Sequence, residues 1–378
     1  MKELKLHGES IVIGRDSLNY LEKYEGKRVF IVTGGGSMFK NGTVDRIQSI
    51  LEKSNSVMEV YSGIPANPTT NDILKGLEML RIFKPDVLIG LGGGSAIDAS
   101  KLMGIFYEYP DYDFDRVLKE ALPNKRNNLV FIAIPSTSGT ATEVTKAAVV
   151  TYKDQNLKIG IFSDAFIADV AILDPQITLS MPPNVVAETG MDAMTHAVEC
   201  YINKNLDDFG ECLAKGAVEG LIQYLPKSYK EGDIDSREKV HHYQCMAGSA
   251  FSNVGLGMAH GISHAFGGKF NLGHGLLNAI ALPYVLEYNS RDPEVARKLT
   301  YLAKVIDKKD FIKAIRKLNK KLNIPRGFQE AGVNITEFEE NFEELVENSL
   351  KGSTRRNPVA VSKEDMEKIL RKIFEGKK

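Results

Sequence analysis

The stretch DVLIGLGGGSAIDASK, residues 86–101, decides the fold. Asp86 to Leu91 is a short apolar run of the length and composition of a strand buried on both faces. Gly92-Gly93-Gly94-Ser95 then turns the chain into a helix expected to begin near Ala96, which carries Asp98 and Lys101. Backbone N–H groups at a helix start lack intrahelical partners and carry roughly half a positive charge. Glycines let a pyrophosphate come close to them. A twin, Gly34-Gly35-Gly36-Ser37, follows the run RVFIVT at 28–33. Neither is the GxGxxG fingerprint, so the ordinary dinucleotide motif is absent.

Working outward, the same rhythm recurs up to about residue 178. Further strand candidates are 56–61, 129–134, 147–151, 158–162 and 170–173. Between the early ones lie amphipathic helices, with Val44, Ile47, Ile50 and Leu51 on one face and Ile73, Leu77 and Leu80 on another. Buried runs joined by helical crossovers imply a parallel sheet in an α/β layer. After Met181-Pro182-Pro183 the strand-like runs stop and long helical patterns take over. Tandem proline disfavours helix before it and starts one after it. The expectation is an α/β, Rossmann-like parallel-sheet domain at 1–181 and an all-helical domain at 182–378.

The 378 residues suit two domains, and 43% hydrophobic with 26% charged residues describes an ordinary globular composition. A net charge of −1 gives no electrostatic reason to expect nucleic acid or an anionic membrane as partner. No apolar run is long enough to span a bilayer, and the start MKELKLHGES lacks the apolar core of a secretion signal. The three cysteines, Cys200, Cys212 and Cys245, lack a CxxC spacing and fit reduced structural thiols, which predicts a cytoplasmic protein.

Of seven histidines, His260, His264 and His274 fall in one short glycine-rich stretch. Asp192 and His196 stand four residues apart on a predicted helix, as do His260 and His264, a spacing that stacks side chains on one face. Aspartate plus several imidazoles is a donor set for first-row divalent metals. By spacing alone His264 is as good a ligand as the others. His241 and His242, in a charged stretch, read as surface residues, as does His7. A polar loop, Pro135-Ser-Thr-Ser-Gly-Thr-Ala-Thr-Glu143, follows the 129–134 strand, and its hydroxyls are placed to line the crevice beyond the strand ends.

Taken in order, Gly92 to Lys101, Pro135 to Glu143, Asp174-Pro175, Met181-Pro182, Gly190 to Glu199, Gly257 to His264 and Gly273-His274-Gly275 resemble the iron-containing (group III) alcohol dehydrogenase family. The resemblance covers essentially the whole chain. It implies a dehydroquinate synthase-like architecture in which cofactor and metal meet at an interdomain cleft. By position, the implied metal ligands are Asp192, His196, His260 and His274, with His264 a non-ligand that passes a proton. The implied cofactor contacts are Gly93, Gly94, Ser95 and Asp98 at the pyrophosphate turn, with Gly36, Ser37 and Asn67 nearby. Ser136, Thr137, Thr140, Lys158 and Leu179 fall to the nicotinamide and its ribose.

The resemblance further implies hydride transfer between a nicotinamide and a small alcohol or aldehyde, a homo-oligomer (a dimer), and Fe²⁺, although the donor set suits Zn²⁺ equally well. Many relatives carry an aspartate after the first strand, whereas Gly34 stands here, followed by N–H and hydroxyl donors. That pattern is similar to the NADPH-dependent butanol dehydrogenase and aldehyde reductase branch and favours NADP(H) over NAD(H). Thr354-Arg-Arg-Asn-Pro358 only partly matches a family segment that floors the substrate pocket, so substrate identity is open. The rival readings are a zinc- and NAD-dependent polyol dehydrogenase and a sugar-phosphate cyclase. The complete histidine set disfavours the first. The second should carry more Lys and Arg by the metal, whereas between Val254 and His274 only Lys269 is basic besides histidine.

Overall fold

The computed structural model describes residues 3–152, 157–270 and 272–377. The chain divides into two compact units, Met1–Met181 and Pro182–Lys378.

Eight strands are found among the described residues, all in the first unit. They are β1 (Ser10–Ile13), β2 (Arg28–Gly34), β3 (Val57–Ile64), β4 (Val87–Gly92), β5 (Val130–Pro135), β6 (Ala147–Tyr152), β7 (Leu157–Phe162) and β8 (Val170–Leu173). Six of them pair in parallel in the order β1-β8-β5-β4-β2-β3. Early helices are α1 (Ser37–Lys40), α2 (Thr43–Lys53), α3 (Thr70–Phe83), α4 (Gly94–Glu108), α5 (Phe114–Val117) and α6 (Pro175–Thr178).

Period-two alternation divides the strand residues between two apolar layers. Phe30, Val32, Leu88 and Phe131 pack with Ile73, Leu77, Ile97 and Leu102 on one face. Val29, Ile31, Ile89 and Ile132 pack with Val44, Ile47, Leu51 and Leu21 on the other. Every residue of β4 is buried, which is why its sequence is an unbroken apolar run.

The structure departs from the sequence reading at three places. β1 went unrecognised because it is four residues long, lies at the sheet edge, and has only partly buried or exposed side chains. β6 and β7 do not join the sheet; they form a separate antiparallel hairpin. Helix α4 begins at Gly94 rather than near Ala96, with Gly93 at its cap.

In the second unit the described residues form helices and no strand. The longer ones are α7 (Pro183–Ile202), α8 (Asp208–Lys230), α9 (Ile234–Val254), α10 (Met258–Phe270) and α11 (His274–Asn289). Pro182 and Pro183 start α7, whose second half is buried throughout and packs on α8, α9 and α11. No helix among the described residues is long and apolar enough to cross a membrane.

Two histidines are misplaced by the sequence reading. His241 is fully buried and His242 half-buried on α9, because their charged neighbours share the helix with an inward face of Val240, Gln244 and Cys245. Burial drives the His241 pKa down to about 3. Cys200 and Cys245 are buried, as expected of structural cysteines, whereas Cys212 is exposed.

Candidate functional site

From β2 the chain crosses to β3 at one edge, and from β4 it crosses to β5 on the other side. The reversal lies between β2 and β4, and open α/β sheets bind ligands at the carboxyl ends of strands at such a point. Both glycine turns sit there. Gly92 has φ 144°, and a Cβ built on it would lie 3.1 Å from the Ala96 Cβ and 3.9 Å from the Gly34 nitrogen. No side chain caps the start of α4.

Most of the residues implied for the cofactor gather around that helix start. The Thr137 side chain lies 3.6 Å from a Cβ built on Gly93, and Thr140 crowds the same position on Gly94. Ser136 N–H donates to the Gly92 carbonyl (2.8 Å). Asn67, with φ 60°, donates its N–H to Ser95 Oγ at 3.3 Å, tying the 66–68 turn to the helix. Gly36 caps α1 and Ser37 opens it. Leu179 ends α6 and is 43% exposed; α6 is capped by the buried Asp174, which also pairs with Arg46 at 3.3 Å. Lys158 lies on β7, and its side chain is outside the described residues.

Asp98 faces the protein's own loop instead of a turn open to a phosphate. Its two oxygens accept from the Thr142 hydroxyl and from Val149 N–H (3.0 Å). Lys101, fully buried beside it, donates to Thr142 Oγ1 and the Ala147 carbonyl (both 2.7 Å) and to the Thr145 carbonyl (3.0 Å). Burial pulls the Lys101 pKa down to about 8, against the opposing pull of Asp98 and Glu143. Burying an ammonium costs several kcal/mol unless oxygens surround it; here they do. The pair therefore clamps the polar loop and the β6–β7 hairpin to α4, a part that the sequence spacing did not suggest for Asp98.

In the second unit α7, α10 and α11 supply the other cluster. One oxygen of Asp192, Oδ1, lies 3.8 Å from His260 Nε2, 3.8 Å from His274 Nε2 and 4.0 Å from His196 Nε2. Two donors each about 2.1 Å from one ion are at most about 4.2 Å apart, so each of these separations from Asp192 fits a shared cation taken pair by pair, but His196 is not brought within the compact set that the other three form. Asp192, His260 and His274 form the compact set of ligand atoms, mutually within 4.8 Å. Asp192 and His260 are buried and His274 partly so. Helices α7 and α11 approach this closely because a Cβ on Gly275 would run into the Glu188 carbonyl and crowd Asp192.

The His196 ring is sandwiched, with centroids 4.3 Å from Phe251 and 4.6 Å from His260. His264, like His196, is outside the compact set. It is exposed, and its ring stacks on His274 at 5.0 Å. Lys269 is exposed and pairs with Glu344 (3.4 Å).

Two residues that the sequence reading did not single out complete the cluster. Glu199 is buried on α7, one turn beyond His196. It accepts from Gly257 N–H (2.9 Å), Ala259 N–H (2.7 Å) and His260 Nδ1–H (2.7 Å). The side-chain nitrogen of Asn278, on α11, donates to Asp192 Oδ1 (2.8 Å) and toward the Nε2 atoms of His260 and His274 (3.1 Å each). Asn278 follows His274 by four residues on one helix, a same-face spacing that could have flagged it.

The fold and this donor set define a two-part protein, with a nucleotide-type crevice in one unit and a metal-type cluster in the other. The profile "Iron-containing alcohol dehydrogenase" matches residues 8–175, and "Fe-containing alcohol dehydrogenase family, C-terminal" matches 186–374. The chain belongs to the iron-containing alcohol dehydrogenase family.

It is 38% identical to an NADPH-dependent butanol dehydrogenase of Clostridium saccharobutylicum over 97% of this chain and 96% of that one. It is 37% identical to the 1-propanol dehydrogenase PduQ of Citrobacter freundii, over 77% and 75%. The solved iron-containing alcohol dehydrogenase of Thermococcus thioreducens covers 100% of both chains, with TM-score 0.92 and 32% identity.

Proposed function

We propose that the protein is a metal-dependent, NADP(H)-preferring alcohol dehydrogenase and aldehyde reductase acting on small alcohols or aldehydes. The observation that carries the reading is the convergence of Asp192, His260 and His274 on one point, with Glu199 behind His260. Asp192, His196, His260 and His274 would hold the cation, and when bound it supplies Lewis acidity toward the substrate oxygen. Fe²⁺ is favoured by the family, while three imidazoles and a carboxylate also accept Zn²⁺.

The residues' own parts follow from their contacts. An ionised carboxylate only accepts, so Glu199 keeps the proton of His260 on Nδ1 and leaves the Nε2 lone pair facing Asp192. His264, exposed beside His274, moves a proton between substrate and solvent through its ring nitrogens. Amides at the start of α4, with the hydroxyls of Ser95, Thr137 and Thr140, bind the dinucleotide, its pyrophosphate stabilised by the helix dipole. The charge-free Gly34–Ser37 turn admits a ribose phosphate that a carboxylate would repel. The NADPH-dependence in the Clostridium relative's name points the same way.

The test is NADPH oxidation against a panel of small aldehydes, with and without a chelator. Multiple turnovers abolished by chelation and restored by Fe²⁺ or Zn²⁺ are expected. Full turnover in chelated protein would refute the metal's part, and tight nucleotide binding without turnover would refute the enzyme.

A further inference from the structure

Asn278 sits where the site's donor atoms meet, and its orientation is fixed from outside. Ser263 Oγ–H donates to Asn278 Oδ1 at 2.6 Å and holds the amide in place, while Nδ2 faces Asp192, whose carboxylate oxygen only accepts, and His260 and His274. Ser263 and Asn278 are both fully buried, so neither has bulk water as an alternative partner. The amide's two hydrogens face three acceptors: one carboxylate oxygen at 2.8 Å and two imidazole nitrogens at 3.1 Å. These are three of the atoms assigned above to a cation. Glu199 complements this arrangement by keeping the His260 proton on Nδ1, so that Nε2 is the acceptor.

We propose that Asn278, locked by Ser263, is a positioning residue that gathers the metal ligands and stands in for the cation whenever the protein has lost it. The proposal rests on the metal reading of the cluster. Without a cation the amide donates to the three acceptors and keeps their lone pairs aimed together. A cation arriving at the same lone pairs takes over as their partner. The amide thus keeps the ligand set intact through loss and reloading of metal, and the site need not be rebuilt from scattered side chains.

The consequence is an asymmetry between two forms of one protein. Removing the amide hydrogens takes a donor away from the buried Asp192 and His260 in chelated protein, and each buried group so deprived is costly. In loaded protein the cation satisfies the same atoms and the loss is smaller. A residue serving only as packing would cost both forms alike.

The experiment compares wild type, Asn278→Leu (similar volume, no donor) and Ser263→Ala (amide kept, its lock removed). Each is chelated, or loaded with Zn²⁺ under anaerobic conditions, and melted. Asn278→Leu should widen the gap between loaded and chelated melting temperatures by about 5 °C, and Ser263→Ala by less. Should chelated Asn278→Leu not fold at all while the loaded form does, that is the same asymmetry at its limit, and Ser263→Ala must still show it. Equal losses in both forms of both variants, with a clear metal-dependent shift in wild type, overturn the part given to Asn278 alone. A wild type that binds no Zn²⁺ by equilibrium dialysis and shows no shift overturns the metal reading, and this proposal with it.

Discussion

The Glu199 carboxylate and the His260 imidazole are joined by a buried 2.7 Å hydrogen bond, with the proton on Nδ1 and the opposite nitrogen facing Asp192. Two backbone N–H groups, of Gly257 and Ala259, hold the same carboxylate in place, so one acidic side chain sets both the start of α10 and the tautomer of its histidine.

Glu199→Gln should therefore weaken metal binding without removing a ligand. Its amide offers a donor as well as an acceptor, so His260 no longer has a single favoured tautomer. Outer partners of metal-ligating histidines typically carry about 10- to 100-fold in affinity. Competition against a chromophoric chelator reads this directly. An affinity equal to that of wild type would mean that the Glu199–His260 bond has no bearing on the metal.

Gly34→Asp should shift preference from NADP(H) toward NAD(H). The added Cβ meets nothing closer than the Ile64 carbonyl at 3.6 Å, an ordinary contact, so the fold should tolerate the change. The ratio of kcat/KM for the two cofactors should move on the order of tenfold or more, corresponding to about 1.4 kcal/mol. A wild type that already prefers NAD(H) would contradict the assignment.

His264→Asn should leave metal content unchanged and lower kcat by roughly 10²-fold, the lower end of what a positioned acid–base group contributes. Added imidazole should restore part of the rate. Loss of metal in this variant would instead make His264 a ligand.

His241 makes a prediction about stability. Its folded pKa, about 3, lies below the model-peptide value of 6.5 because burial penalises the charged ring. Between those values the unfolded chain binds a proton that the folded chain does not. This group therefore costs no stability above pH 6.5, and stability falls as the pH drops from there toward 3. For one proton the slope is at most roughly 1.4 kcal/mol per pH unit. Urea melts of chelated protein across this window should show a shallower acid limb for His241→Leu. An unchanged slope would show that His241 is not the titrating group.

What was readable in advance follows from how local each signal is. The glycine turns and the strands before them show in a single window, because a fully buried strand needs an unbroken apolar run and the turn needs small residues. That β6 and β7 stand apart as a hairpin depends on partners, which periodicity does not record. Its charged neighbours along the chain make His241 read as a surface residue, although Val240, Gln244 and Cys245 mark its face of the helix as buried. Asp192 and His196 share a helix and were legible by spacing. Glu199 lies on that same helix, but its target, His260, is 61 residues away, so its part emerges only when α7 and α10 are packed.

The most direct test of the central claim is metal analysis of protein purified without oxygen, for wild type, Asp192→Ala and His260→Ala, alongside NADPH binding by each. Wild type should carry one divalent cation per chain, and both variants should lose it together with turnover while binding NADPH with nearly wild-type affinity. Either variant retaining wild-type metal content and turnover would contradict the account.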